Sequence, residues 1–333
     1  IVINGDLLGM FSMTSSCLHK GKEISKEELL NYLKSGAPKF YEKFSSTGQI
    51  TPEMIIEYVA ERYSWCIETL KRFSELKTTI FNMGNHESPL HFLVLQEIPF
   101  LTGCDPSVIS NVDQNMLQKI FNNFEKKLYE MEKTGSFKYI RDNHHIVGDT
   151  LILGIPGESH ATAGGDYHSG MQEKKTQELI QKVIPALSKV SSIIIYNHTQ
   201  GNYDHAIGSF HTASPSLKQF MQSLPVHITN RIFVQSHNHW NHTQFLLNDG
   251  FHFIMNNAGL HDGIFNMVDF NVIETKCYDV DPSNNKITPL KLSLNQTPIK
   301  DRDDVVARNY PDLNYIMMRK NAHMALNSIP INL

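Results

Sequence analysis

Four short apolar runs along the chain each end in a cluster of polar residues. The runs are rich in β-branched and aromatic side chains, so they predict buried strands. In order, residues 1–3 precede Asn4-Gly5-Asp6, residues 79–81 precede Gly84-Asn85-His86, residues 192–196 precede Asn197-His198, and residues 231–234 precede Ser236-His237-Asn238-His239. Ligand-binding side chains of an α/β sheet gather outside the carboxyl ends of its strands. The pattern therefore predicts one site assembled from distant parts of the chain.

Helical periodicity dominates the segment between the first two strands. Ser25-Lys26-Glu27-Glu28 is a capping box, and the helix that it opens stops at Gly36-Ala37-Pro38. Thr51-Pro52 opens a longer helix, whose apolar stripe runs from Ile55 to Phe73. These helices predict an insertion of about residues 12–76 near the active-site face, which either serves as a platform for a substrate or protein partner or simply packs on the sheet.

The remaining periodic segments predict an α/β fold with a second sheet. We expect helices at about 113–131, 172–187 and 304–325, and strands at 139–147, 150–155, 243–247, 251–256 and 265–272. The last three strands are closely spaced and hairpin-like, which implies a second sheet packed on the first. The composition turns polar from Asp281 onward. We therefore predict a catalytic domain over 1–280 and a packed C-terminal extension over 281–333.

Composition narrows the classes of function. A chain of 333 residues, 41% of them hydrophobic, can bury a large core. Its net charge of -4 disfavours a nucleic-acid partner, because the phosphate backbone has little basic surface to bind. No run approaches the roughly 20 apolar residues of a membrane span. The 4 cysteines lack disulfide or metal-type spacing, which predicts a reducing compartment.

The stretch Gly84-Asn85-His86-Glu87-Ser88 is the most specific chemical signal. It places an amide ligand beside an imidazole that can act as acid or base. Carboxylate, imidazole and amide oxygen suit Mn, Fe or Zn, and the absence of a cysteine ligand argues against a closed structural zinc site. Two such ions about 3.5 to 4 Å apart can clamp a phosphoryl group during in-line displacement.

Together the four motifs resemble those of the calcineurin-like metallophosphoesterases over about residues 1–270. Gly84-Asn85-His86-Glu87-Ser88 is most similar to the phosphoprotein phosphatase branch. The resemblance implies a two-sheet αββα sandwich carrying the helical insertion. It also implies a binuclear centre of two divalent or trivalent metal ions, with a bridging hydroxide as the nucleophile.

Site residues follow from the resemblance position by position. Asp6 would bridge the two metals, and His86 would protonate the leaving oxygen. The remaining metal ligands would be Asn85, His198 and His237 on one ion and His239 on the other. His205, in the loop after His198, is a candidate substrate contact.

Three departures from the family pattern affect this assignment. The Asp-x-His motif that supplies the remaining ligands should precede Asp6, and we expect it upstream of Ile1. Asp166-Tyr167-His168 has the same spelling but lies between the third and fourth motifs. The phosphate-gripping arginines of the family are replaced by Gly9-Met10 and Met83. The aspartate that orients the acid is also missing from its usual place, and Asp204 and His205 are the candidates to replace it.

The sequence thus predicts a metal-dependent phosphomonoester hydrolase, most simply a protein phosphatase acting on a phosphoprotein or phosphopeptide. The first alternative is a nucleotidase or phosphodiesterase of the same superfamily, which the paired histidines of Ser236-His237-Asn238-His239 favour. A second is an inactive scaffold that binds a protein through the helical insertion. The inserted helices and the Asn- and Lys-rich composition of the chain also resemble those of secreted effectors of intracellular bacteria. That likeness implies a cytoplasmic protein, or one secreted into a reducing compartment such as a host cell.

Overall fold

The fold is a mixed α/β arrangement of two main sheets with helices, to which smaller sheets are added. The computed structural model describes residues 1–5, 7–8, 18–19, 22–23, 26–84, 87–88, 98, 102, 104–157, 170–198, 201–204, 209–212, 214–236, 243–246, 250–255, 264–269, 274–281 and 286–290. The helices within these ranges are α1 (Lys26–Gly36), α2 (Pro38–Thr47), α3 (Pro52–Leu76), α4 (Gln114–Glu132), α5 (Gly170–Val183) and α6 (Pro215–Gln222). Short 3-10 helices span Pro106–Asn111 and Ile184–Lys189.

The strands are β1 (Val2–Asn4), β2 (Leu18–His19), β3 (Lys22–Glu23), β4 (Thr79–Asn82), β5 (Phe137–Tyr139), β6 (Asn143–Val147), β7 (Thr150–Ile155), β8 (Ser192–Asn197), β9 (Gly201–Asp204), β10 (Ser209–Thr212), β11 (Asn230–Gln235), β12 (Thr243–Leu246), β13 (Phe251–Met255), β14 (Ile264–Asp269), β15 (Glu274–Asp281) and β16 (Lys286–Leu290). The first sheet is parallel, in the order β1-β4-β5. The second has the order β12-β13-β11-β8-β7-β6, with a parallel centre and antiparallel strands at both ends. The smaller sheets are β2-β3, β10-β9 and β14-β15-β16.

Alternation along the central strands places the core on both faces of the second sheet. In β8, Ile193 and Ile195 face the cluster that α5 and α6 cover, whereas Ile194 and Tyr196 face the other way. The latter two pack with Ile80 of β4, in the first sheet. Helices α1 to α4 contribute to a third cluster with β4 and β5. The two sheets therefore face each other, and each carries helices on its outer side.

Local signals account for where the helices begin and end. Thr51 caps α3, accepting a hydrogen bond from the backbone N–H of Met54 at 3.3 Å, and Pro52 supplies the first turn. Helix α2 ends at Gly48, whose φ of +64° is a left-handed conformation that favours glycine. The predicted starts of α1 and α3 are confirmed to within a residue. None of the helices in the described ranges is long and apolar enough to cross a membrane.

Some sequence predictions differ from the structure. The strand predicted over 139–147 is two strands in different sheets, because Asp142, with φ +47°, turns the chain between β5 and β6. The helix predicted over 172–187 tightens to a 3-10 helix from Ile184, since Pro185 has no N–H to continue the α-helical pattern. Strands β12 and β13 extend the sheet of β8 and β11, so the second-sheet prediction is wrong for them; β14 to β16 do form a separate antiparallel sheet.

Two expectations lie outside the described residues: the helix over 304–325 and the loop of Asp166 and His168. The division into a catalytic domain over 1–280 and an extension over 281–333 stays a prediction.

Candidate active site

The strands that carry the predicted motifs end at one place, although two sheets supply them. Strands β1 and β4 belong to the first sheet and β8 and β11 to the second. The backbone N–H of Gly157, just after β7, donates to the carbonyl of Met83, just after β4, at 2.9 Å. Within the second sheet, Ser236 N–H donates to Asn197 O at 3.0 Å. The carboxyl ends of both sheets therefore share one edge of the molecule.

Asn4, the last residue of β1, connects these strand ends through its side chain. Its amide nitrogen donates to Ser236 Oγ at 2.9 Å and to Asn197 O at 3.2 Å, both across the gap between the sheets. Its amide oxygen accepts from Asn82 Nδ2, at the end of β4, at 2.8 Å. One buried side chain thus joins the ends of β1, β4, β8 and β11.

Asn82 completes this amide network. Besides Asn4, its nitrogen faces the carbonyl oxygens of Ile155 at 2.9 Å and Tyr196 at 3.3 Å. Three acceptors around one nitrogen establish the orientation of the amide, because the oxygen in that position would face only other oxygens. The Asn82 oxygen is buried and has no hydrogen-bond partner among the described residues. The network holds the two sheets together at the edge where the motifs lie.

Gly5 is the point of closest approach between three motifs. Its φ of +81° favours glycine, and a Cβ there would lie 2.6 Å from Gly84 Cα and 2.7 Å from Gly84 N. It would also overlap His198 Nδ1. Residues of the first, second and third motifs are therefore in contact, although Gly5 follows a strand of the first sheet and His198 follows a strand of the second.

His198 is the metal-ligand candidate that the structure describes. The ring is buried, and Nδ1 lies 2.7 Å from the backbone carbonyl oxygen of Asn4. A carbonyl can only accept, so Nδ1 carries a proton and donates it to Asn4. A backbone carbonyl on one ring nitrogen is the usual way in which a metal-binding histidine is oriented. The contact of His198 with Asn4 is therefore of the kind that orients a metal-binding histidine.

Glu87, the acidic residue of Gly84-Asn85-His86-Glu87, is fully buried and holds backbone rather than solvent. Its Oε1 accepts from Leu8 N–H at 2.9 Å and its Oε2 from Gly84 N–H at 2.7 Å. Leu8 lies two residues after Asp6, and Gly84 directly precedes Asn85. The carboxylate therefore ties together the two loops that carry predicted site residues.

Helix α3 supplies the surroundings of this carboxylate. Tyr63 donates its hydroxyl to the backbone carbonyl of Glu87 at 2.8 Å, and burial followed by the charge of Glu87 raises the pKa of Tyr63 well above its usual value. Burial and then Glu87 likewise raise the pKa of Cys66, an effect that the positive charge of Arg62 opposes. Cys66 is therefore a thiol at neutral pH and not the nucleophilic thiolate.

The structure places only part of the predicted site. His198 lies at the shared strand ends, and the neighbours of the other candidates, Gly5, Gly84 and Ser236, lie there as well. The candidates outside the described residues are Asp6, Asn85, His86, His205, His237 and His239. Their roles stay predictions. Within the described ranges, no three His, Cys, Asp or Glu side chains group closely enough to hold a metal ion.

Other histidines have structural surroundings where the structure describes them. His145 lies on β6, at the far edge of the second sheet, and its Nε2 is 3.4 Å from Oε1 of Glu132 on α4. Burial, then His145 and Lys182, lower the pKa of its neighbour His144. Both histidines lie on β6, the edge strand of the second sheet, whereas the motifs follow β8 and β11 within that sheet.

Sequence reasoning did not single out Asn4, Asn82, Arg62 and Tyr63, and it gave Glu87 no separate role. A usable signal existed for the two asparagines, since an amide at the end of a buried apolar run must find partners. Arg62 had a signal too, because it interrupts the apolar stripe of α3 with a charge. Tyr63 was counted simply as one residue of that stripe.

Comparison with known proteins yields little. No family model matches the chain, and no curated protein matches it. Among solved structures it is similar to a Staphylococcus aureus protein described as a "Putative 5'-Nucleotidase", with 13% sequence identity and a TM-score of 0.32. The likeness covers 77% of this chain and 44% of the other. The chain thus spans less than half the length of that protein.

Proposed function

We propose that this protein is a metal-dependent phosphoric ester hydrolase whose active site lies where β1, β4, β8 and β11 end. The observation that supports it is the meeting of Gly5, Gly84 and His198, which brings three separate motifs into contact. Chance placement of Gly-Asp, Gly-Asn-His-Glu and Asn-His sequences would not bring them to one edge. The proposed fold type is the αββα sandwich of the metallophosphoesterases, and the layers described above support it.

The residues fit a binuclear metal centre. Asp6, Asn85, His198, His237 and His239 would hold the ions, and they offer carboxylate, amide and imidazole donors of the kind that Mn, Fe and Zn accept. The contact between His198 Nδ1 and the Asn4 carbonyl supports this assignment, because metal-binding histidines are commonly oriented by such a hydrogen bond on the other ring nitrogen. When bound, two such ions supply Lewis acidity toward the phosphoryl oxygens and a lowered pKa for water.

His86 is the proposed general acid. As the bond between phosphorus and the leaving oxygen breaks, the imidazolium would give its proton to that oxygen, while water supplies the new oxygen on phosphorus and releases its own proton. The Glu87 carboxylate, on the next residue, holds the loop through Gly84 and Leu8. Glu87 would thereby fix the backbone beside His86, and the His86 side chain would perform the proton transfer.

The substrate is proposed at two levels. At the coarser level it is a phosphate ester. At the finer level, the spelling Gly84-Asn85-His86-Glu87-Ser88 favours a phosphoprotein, and the paired histidines His237 and His239 favour a nucleotide or phosphodiester. A nucleotide is also the substrate class named for the Staphylococcus aureus protein.

The deciding experiment measures metal content and hydrolysis together. The purified protein, with any residues that precede Ile1, would be loaded with Mn²⁺ and assayed on a phosphopeptide, a nucleoside monophosphate and a bis-aryl phosphodiester. We expect about two metal ions per chain, hydrolysis of at least one ester, and a rate ranking that identifies the substrate class. Failure to bind metal or to hydrolyse any of the three would overturn the enzyme proposal and favour the inactive scaffold.

Variants test the ligands individually. Replacing Asn85 or His237 with Ala should remove one metal ion and abolish turnover while the fold persists, because both come after the strands β4 and β11 in the chain rather than within them. His145→Ala is the matched control, since it removes an imidazole from the far edge of the second sheet. Full metal occupancy in Asn85→Ala or His237→Ala would remove that residue from the ligand set.

A further inference from the structure

Two adjacent polar side chains of helix α3 contact the loops that carry the predicted site residues. Arg62 is fully buried, and its Nη2 lies 3.4 Å from the backbone carbonyl oxygen of Leu8. The next residue, Tyr63, donates its hydroxyl to the carbonyl of Glu87 at 2.8 Å. The guanidinium also lies over the ring of Trp65, 4.8 Å from its centroid. One turn of α3 therefore contacts both motif loops.

Glu87 links the same two loops from the inside. Its two carboxylate oxygens accept hydrogen bonds from Leu8 and Gly84, and the chain around it is buried. Hydrogen bonds to a buried carboxylate are stronger than neutral ones, and losing one partner leaves a desolvated donor. A change in α3 at this point is therefore transmitted to the backbone beside Asp6 and Asn85.

We propose that Arg62, Tyr63 and Glu87 form a positioning brace that holds the Asp6 loop and the Asn85-His86 loop at their working separation. The proposal rests on the proposed function for what those loops carry. It makes α3 part of the catalytic architecture, although in sequence α3 belongs to the helical insertion. None of the three brace residues is proposed to touch substrate or metal.

The chain contains a matched control on the same helix. Glu61, directly before Arg62, accepts hydrogen bonds from the backbone N–H groups of Lys39 at 2.9 Å and Phe40 at 3.1 Å. Its carboxylate thus performs the same chemistry as that of Glu87, but it holds the start of α2 instead of the motif loops. Glu61→Gln and Glu87→Gln each replace a carboxylate that accepts two backbone N–H groups, the first half-buried and the second fully buried.

The experiment compares Glu87→Gln, Tyr63→Phe and Glu61→Gln in the full chain. Glutamine at 87 presents an N–H₂ group to a backbone N–H, so one of the two loop contacts must break. We expect Glu87→Gln to weaken Mn²⁺ binding by about 10- to 100-fold and to lower kcat with KM nearly unchanged, as for partners that orient metal ligands. Tyr63→Phe should show a smaller effect in the same direction, and Glu61→Gln should match the wild type in both.

Hydrogen exchange of the peptides covering residues 1–10 and 80–90 supplies a readout that does not require activity. Glu87→Gln and Tyr63→Phe should raise exchange in both peptides, whereas Glu61→Gln should raise it around residues 37–42. If the brace variants show the same metal affinity as Glu61→Gln and the same exchange as it in the peptides covering 1–10 and 80–90, the brace is refuted, while an active wild type keeps the proposed function. If the wild type neither binds metal nor hydrolyses esters, the proposed function fails, and the exchange result alone supports or overturns the brace.

Discussion

The pair of helices α1 and α2 directly precedes helix α3 in the chain, yet the pair and α3 contact different parts of the molecule. Helix α2 packs against α3, with the rings of Phe40 and Tyr58 at a centroid distance of 5.1 Å and an ion pair between Lys43 and Glu57. Helix α3 reaches the motif loops through Arg62 and also stacks on α4. The pair α1 and α2 thus sits on α3, and α3 sits on the site.

The difference follows from the geometry of one helix. Residues four apart share a face, so Glu57 and Glu61 form a stripe toward α2, and Arg62 and Cys66 form an adjacent stripe toward Glu87. A contiguous insertion can therefore have an outer part that is free to vary and an inner part that is tied to the site. Substitutions in the outer part and in the inner part should therefore have different effects on activity.

The largest expected effect belongs to the site itself. Replacing His86 with Ala should leave both metal ions in place and lower kcat by about 10²- to 10⁴-fold, the usual contribution of a general acid. The loss should shrink for aryl phosphates, whose leaving oxygens need little protonation. Steady-state kinetics on matched alkyl and aryl phosphates check this. Equal losses on the two substrates would remove His86 from the acid role.

Gly5→Ala should place a methyl group between the motif loops, where there is no room for it. Its cost combines a left-handed backbone, about 1 to 2 kcal/mol, with overpacking against Gly84, about 1 to 3 kcal/mol. Gly48→Ala is the control on the insertion side, because φ is also positive there but no atom lies within 4 Å. Urea unfolding should show the larger loss for Gly5→Ala. Equal losses would mean that the close approach at Gly5 relaxes freely.

Asn82→Ala should weaken the joint between the two sheets. It leaves Asn4 Oδ1 and the Ile155 carbonyl without a buried donor, at a cost of about 1 to 3 kcal/mol. Asn111→Ala, which removes an exposed amide, should stay within about 0.5 kcal/mol. Denaturant midpoints measure both variants. A similar small loss at Asn82 would show that water replaces the amide network.

Replacing residues 12–46 with a short Gly/Ser linker tests the outer part of the insertion. Hydrolysis of a small aryl phosphate should stay within about tenfold of the wild type, or 1.4 kcal/mol of barrier, whereas kcat/KM on a phosphoprotein should fall sharply. Some stability will be lost because Leu33 and Phe40 are buried, so the assay belongs well below the melting temperature. A joint fall of both activities in a folded, metal-loaded variant would make α1 and α2 part of the catalytic architecture.

The smallest effect concerns His144, which lies in neither region. Burial, then His145 and Lys182, lower its pKa in the folded protein below the ordinary value. The unfolded chain therefore binds more protons as the pH falls below about 6.5, so folding stability decreases in that window. Urea unfolding at pH 7.5 and 5.5 should show less acid destabilisation in His144→Gln than in the wild type. An identical pH dependence would contradict the assigned shift.

Periodicity and caps predicted much of the secondary structure. The four motif strands and the start of α3 at Thr51-Pro52 are present because their signals lie within a few residues of each other. The break after Tyr139 was missed: Asp142 makes a left-handed turn there, and β5 and β6 pair with strands of different sheets. The partition of strands between sheets depends on long-range pairing, which a local pattern does not contain.

The sequence by itself determined which chemical groups are available and which strand ends carry them, because motif spelling and strand length are local properties. Only the tertiary structure decided that the first and third motifs touch at Gly5, that the backbone carbonyl of Asn4 accepts a hydrogen bond from His198 Nδ1–H, and that Glu87 faces inward. Each of these results from a backbone amide or carbonyl of a distant segment. Such partners are identical at every position of the chain, so no residue pattern announces them, and packing of the two sheets brings them together.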